Sequence, residues 1–204
     1  MRILLTRHAE TKENVEGVVQ GQNLNLDRGF LTEAGLKQIS KLIQRLRKEK
    51  IDLIISSDSP RCKKTAEEIN KEKKCHIEYM KEIREKHDGD WTGKTKAEID
   101  WDSLGRDFET RKAPNGESLK EVRERGRKFF RELLDAYKDT DKAILIISHA
   151  VFLRVLIGDL IGLNLYDSIF KIFIENCSLS EMDINKEYKE GYRLKLLNET
   201  EFLH

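Results

Sequence analysis

Three mostly apolar runs in this chain each end in a similar polar cluster, and that repetition limits the fold more than any other feature. Residues 2–5 run into Thr6-Arg7-His8, residues 51–55 into Ser56-Ser57-Asp58-Ser59-Pro60-Arg61, and residues 144–147 into Ser148-His149. Short runs rich in isoleucine and leucine read as strands buried on both faces, as in a parallel sheet. In α/β proteins the carboxyl ends of such strands are where ligands bind. Histidine is a nucleophile and base near neutral pH, and arginine is the fork that grips phosphate oxygens. The strand ends therefore point to phosphoryl chemistry.

The segments between these runs carry helical periodicity. Thr32 caps a helix whose apolar positions Leu36, Ile39, Leu42, Ile43 and Leu46 recur every three or four residues. Pro60 opens a second helix reaching about Lys71, and residues 76–80 read as a short strand. Residues 81–117 look irregular, with a short helix near 97–103. Ser118-x-x-Glu121 is a capping box that starts a long helix to about Tyr137. Residues 143–147 form a strand and residues 151–161 a helix. The tail reads as three strands, 169–174, 178–184 and 192–197, the last two joined by a polar turn. Strand and helix alternate, with no linker, repeat or low-complexity stretch. The expected architecture is α/β, a three-layer α/β/α sandwich with a mostly parallel central sheet, in one domain over residues 1–204.

Composition narrows the function classes. The net charge is +1, so nothing favours nucleic acid or an anionic membrane. No run approaches the roughly 18 apolar residues of a membrane span, and the first residues turn polar too soon for a signal peptide. Cys62, Cys75 and Cys177 fit no zinc or Cys-x-x-Cys spacing and read as reduced thiols of a cytoplasmic protein. Gly89-Asp90-Trp91-Thr92-Gly93-Lys94-Thr95 superficially suggests a nucleotide P-loop. It has one residue too few before Gly-Lys, and no buried strand precedes it.

The chain resembles the histidine phosphatase superfamily, the phosphoglycerate mutase-like proteins. The matching segments occur in order: Arg7-His8-Ala9-Glu10-Thr11 with Asn14, Gln20-Gly21, Leu31-Thr32-Glu33-Ala34-Gly35, and Ser56-Ser57-Asp58-Ser59-Pro60-Arg61 with Thr65-Ala66. They continue through Arg84-Glu85 with Gly89-Asp90-Trp91-Thr92-Gly93, Gly116-Glu117-Ser118, Ser148-His149-Ala150 with Arg154, and Asn176-Cys177-Ser178. Ala9 and Ala150 stand where the family more often has glycine, which is expected to trim the pocket without removing the chemistry.

The resemblance implies the same three-layer fold and a catalytic set of His8, Arg7, Arg61, His149 and Glu85. His8 is the expected nucleophile. Arg7, Arg61 and His149 surround the phosphate, and Asn14, Gln20 and Gly21 join them in holding substrate. Glu85 is the expected general acid and base, on a segment over the mouth of the site. Arg154 is expected to pack or pair, and His76 and His87 to be structural. The segment between Glu85 and His149 is shorter than in the mutases, which favours the phosphatase branch. The expected activity is hydrolysis of a small phosphorylated metabolite, with no cofactor and no metal. The alternatives are a phosphoglycerate mutase-type phosphotransferase and a silent interaction module. A homodimer is the default oligomeric expectation.

Overall fold

In the computed structural model, which describes residues 1–25, 30–101 and 106–204, the three apolar runs are β1 (Arg2–Arg7), β2 (Leu53–Ser57) and β4 (Ala143–Ser148). β3 (His76–Met80) lies at one edge, and β5 (Leu179–Ile184) and β6 (Tyr192–Glu199) form an antiparallel hairpin at the other. The order across the sheet is β3-β2-β4-β1-β5-β6. The first four strands are parallel, and β5 pairs antiparallel with β1. β2, β4 and β1, which end in the three polar clusters, are direct neighbours.

Helices cover both faces, because alternate residues of each central strand point to opposite sides. Ile3, Leu5, Leu53, Ile55, Ile144 and Ile146 pack against α4 (Leu119–Tyr137) and α5 (Ala150–Leu160). Leu4, Ile54, Leu145 and Ile147 face α2 (Glu33–Leu46) and α3 (Pro60–Lys73) on the other side. Most of these strand side chains are fully buried, each contributing roughly 1.5–3 kcal/mol of transfer free energy. Such a two-sided core fixes the register of the central strands, and hence the height at which the polar clusters emerge. The caps read from the sequence are formed. Thr32 accepts from the Gly35 amide, and Ser118 and Glu121 make a reciprocal capping box.

Two local expectations need correction. Residues 169–174 do not form a strand. α6 (Leu165–Lys171) occupies the first half, capped by Asn164, whose side chain accepts from the Asp167 amide. It docks tightly on α5, since a Cβ at Gly158 would fall 2.1 Å from Ser168 Oγ. Beyond it, Ile172 and Ile174 are buried and Phe173 is exposed. That alternation mimics a strand without joining the sheet. In place of the short helix expected near 97–103, the described residues hold a 3-10 turn at Lys96–Glu98 and 3-10 conformation again at Trp101, and residues 102 and 103 lie outside the described residues. The polar loop after β1 contains a short helix, α1 (Lys12–Glu16), closed by a Thr11–Asn14 capping box. No helix among the described residues is long and apolar enough to cross a membrane.

Candidate active site

His8 and His149 meet at the carboxyl edge of the sheet, just past adjacent strands β1 and β4. Arg7 is paired in register with Ser148, and the His8 amide donates to the Ser148 carbonyl at 3.0 Å. The two imidazoles stand edge to face, 5.3 Å between centroids, and both are buried. Arg61, on the first turn of α3, reaches between them. Its Nε donates to His8 Nε2 at 3.2 Å and its Nη2 to His149 Nδ1 at 2.9 Å.

These contacts assign the tautomers. His8 Nδ1 carries the proton and donates to the Ala9 carbonyl at 2.8 Å, so Nε2 presents a lone pair. His149 accepts at Nδ1, so its proton sits on Nε2, 2.9 Å from Ser57 Oγ and 3.3 Å from Ser59 Oγ. Burial pushes the pKa of both histidines well below 6.5, and the positive charges of Arg61 and Arg7 push the same way. His8 is therefore a neutral base at physiological pH, the form a nucleophile needs.

A stability consequence follows with a definite sign. The unfolded chain takes up protons at its histidines near the ordinary value of 6.5, whereas the folded chain refuses them. Stability is complete above that pH and is lost as pH falls below it. Two such groups make the loss steeper than either would alone. The thermal unfolding midpoint should fall between pH 7 and pH 5, and the fall should shrink in His149→Gln. A flat profile would contradict neutral burial of the pair.

Arg7 sits in the same wall. Its Nη1 donates to the Ile174 carbonyl at 3.2 Å, and its Nε is buried without a hydrogen-bond partner among the described residues. Burial lowers its pKa to about 10, which leaves it charged at neutral pH. A buried guanidinium with an unpaired N–H is costly unless an anion completes it.

Other expected substrate contacts take more specific places. Asn14 Oδ1 accepts from Thr11 and from Asn176 Nδ2, and Asn176 Nδ2 also donates to the His8 carbonyl at 2.8 Å. Asn176 thus ties Asn14 to the histidine strand end. Gly21 offers its carbonyl to Arg61 Nη2 at 2.9 Å, and so positions the arginine. A side chain there would crowd Asp88 and Thr92, and its φ of +46° suits glycine. Gln20 Oε1 is buried without a hydrogen-bond partner among the described residues. The Ala9 methyl packs into the α2–α3 core, so the expected trimming of the pocket does not arise from that residue. Arg154 lies over the Phe173 ring, with its Nε buried and unpaired.

Glu85 lies on the segment after β3 and caps a helix it does not belong to. α5 starts at Ala150 with His149 as its N-cap, and the His149 side chain makes no capping bond. Glu85 Oε2 accepts from the Val151 amide at 3.2 Å, and Oε1 accepts from Phe152 at 3.1 Å and Lys86 at 2.9 Å. The carboxylate satisfies orphan amides of that first turn, which fixes it relative to His149. Arg125 on α4 holds the segment from behind. Its guanidinium donates to the carbonyls of Glu82, Arg84 and Glu85, pairs with Glu117, and stacks on Phe152. Ser148 Oγ donates to the Ile83 carbonyl, and Arg84 forms a fork with Asp58. The sequence reading gave Arg125, Ser57 and Asn176 no role. Ser57 and Asn176 lay inside motifs already noted, whereas Arg125 looks like part of a solvated helix face.

Fold and site together define an enzyme of the phosphomonoesterase class, built around a pair of histidines. The chain belongs to the histidine phosphatase superfamily, branch 1, whose family model matches residues 3–200. It is 30% identical over 189 residues to a Salmonella arizonae protein named probable phosphoglycerate mutase GpmB, spanning 90% of this chain and 85% of that one. A protein of the same name from Photorhabdus laumondii is 31% identical over 191 residues, with the same shares covered. Among solved structures, Bacillus stearothermophilus YhfR superposes with a TM-score of 0.88 at 25% identity, covering 100% of this chain and 99% of that one. The alpha-ribazole phosphatase from Shigella flexneri gives 0.84 at 26% identity, covering 98% and 96%. A mycobacterial glucosyl-3-phosphoglycerate phosphatase gives 0.81 at 26%, covering 97% and 98%.

Proposed function

We propose that this protein hydrolyses small phosphate monoesters through a phosphohistidine on His8, without a metal ion. The observation that carries the reading is the buried, incompletely bonded Arg7 beside a neutral His8 whose Nε2 lone pair faces Arg61. The lone pair attacks phosphorus. Arg7, Arg61 and His149 hold the equatorial oxygens, and Arg61 gives up its bond to His8 as the phosphorus arrives. Glu85 delivers a proton to the leaving oxygen, and then takes one from the water that attacks the phosphohistidine. Phosphoryl transfer asks mainly for positioning and charge neutralisation, and the guanidinium groups supply the positive charge a metal would otherwise bring.

A phosphotransferase reading is favoured only by the names of the GpmB relatives. The short segment between Glu85 and His149, and the likeness to solved phosphatases, favour water as the acceptor. Hydrolysis of p-nitrophenyl phosphate should persist after dialysis against EDTA. Loss of activity restored by Mg²⁺ would refute the scheme. With 3-phosphoglycerate, free phosphate should accumulate faster than the 2-isomer, and the reverse order would establish a mutase.

A further inference from the structure

Beside Glu85 lies a cleft of about 500 Å³, within the usual size of small-molecule sites. Trp91 and Trp101 form one aromatic group along it, edge to face at 5.2 Å. Phe108 and Phe170 form another at 5.5 Å, with Val151 and Ile169 adding aliphatic surface. Trp101 is 49% exposed and Phe170 62%. Core packing does not account for rings left so open at a concave surface, whereas a ligand would.

The cleft adjoins Glu85 through two of its lining residues, Val151 and Lys86. The Val151 amide holds Glu85 Oε2, and the Val151 side chain lines the cleft. Lys86, the residue after Glu85, lines it too and pairs with Asp88 at 2.5 Å. Asp88 in turn packs against Gly21, whose carbonyl holds Arg61. A general acid stands next to the leaving oxygen, so the cleft beside it receives the alcohol portion of the ester.

We propose that the preferred substrates are phosphate monoesters whose alcohol carries a flat, largely apolar ring, seated between the Trp91–Trp101 and Phe108–Phe170 groups. The inference rests on the reading of Glu85 as the acid at the leaving oxygen. A polyol in the same place would find polar partners only at the charged rim of Lys86, Asp88, Lys96, Arg111 and Lys112, and elsewhere would face aromatic surface at a desolvation cost. An aryl ring instead buries apolar area and stacks edge to face or offset.

The chain contains only two tryptophans, and both line this cleft, so tryptophan emission reports on it. The test compares benzylphosphonate with 3-hydroxypropylphosphonate, neither of which can be hydrolysed, by calorimetry and by tryptophan emission. Benzylphosphonate should bind roughly tenfold tighter or more and change the emission. Trp101→Ala and Phe170→Ala, both at exposed positions, should bring the affinity ratio toward one. Equal affinities, or an aryl preference that both variants keep, would overturn the proposal. Aryl preference in a protein that turns over no phosphate monoester would leave the cleft assignment standing and sink the hydrolytic reading. Turnover without aryl preference would do the opposite.

Discussion

Replacing His8 with alanine is expected to bring phosphate ester hydrolysis down to the uncatalysed background. The same replacement at His149 should leave a measurable remainder. The difference follows from how the two rings are held. His8 has its proton fixed on Nδ1 by the Ala9 carbonyl, and turns an unprotonated Nε2 into the space bounded by Arg61. The nearby hydroxyls of Ser57 and Ser59 and the thiol of Cys62 are engaged with His149, and a water entering the gap would lack the covalent route. His149 is oriented by Ser57 and Arg61, and in the proposed reaction it stabilises charge without forming a bond to phosphorus. Losing such a donor costs about 2–4 kcal/mol, a rate factor of roughly 10²–10³. Rapid quenching of the wild-type reaction should trap phosphate on His8 that survives base and is lost in acid. A His8→Ala enzyme that kept most of its activity would falsify the phosphohistidine scheme.

For Glu85→Gln the expected result is a split between substrates. Alkyl phosphates need a proton on the leaving oxygen and should lose the roughly 10²–10⁴ that general acid catalysis provides. Nitrophenolate leaves with little help, so p-nitrophenyl phosphate should lose far less in the first step. A burst of nitrophenol should then appear, because the water that attacks the phosphohistidine has lost its base. The geometry adds a complication. Both carboxylate oxygens accept backbone amides, from Lys86, Val151 and Phe152. The amide group of glutamine must turn a donor toward one of them. Glu85→Gln should therefore also lower the thermal midpoint, an effect common to both substrates and separable from the split. Equal small losses on both esters would move the acid role to Asp88, which lines the cleft beside Glu85.

The parts of this molecule that announce themselves in the sequence are those with a short-range signature. Buried parallel strands are continuous apolar runs, so β1, β2 and β4 could be placed, and with them the strand ends that bring His8, Arg61 and His149 together. Ser118 and Glu121 declare the start of α4 because a capping box is a four-residue pattern. The failures come from alternation without pairing and from contacts across the chain. Ile172, Phe173 and Ile174 alternate as a strand would, yet they join no strand of the sheet. Arg125 sits 40 residues from Glu85, and no local pattern separates an arginine that gathers a distant loop from one that meets solvent. Glu85 was legible as a candidate acid through its motif. Its place as the cap of α5 depends on two segments meeting only in three dimensions. The inward faces of the segment over the site, Trp91 and Phe108 among them, were likewise beyond a linear reading.

Ser59 offers a last lesson, about where evolution could and could not have hardened this chain. It occupies the N-cap of α3, yet its hydroxyl caps no backbone amide of that helix and instead lies within reach of His149. A capping hydroxyl used on its own helix is worth about 0.5–2 kcal/mol, so α3 begins weaker than its sequence would allow. Directed evolution for heat resistance should find gains in that turn, and those gains should come with a loosened histidine. The junction that holds the site together is thus also a place where robustness and turnover pull in opposite directions.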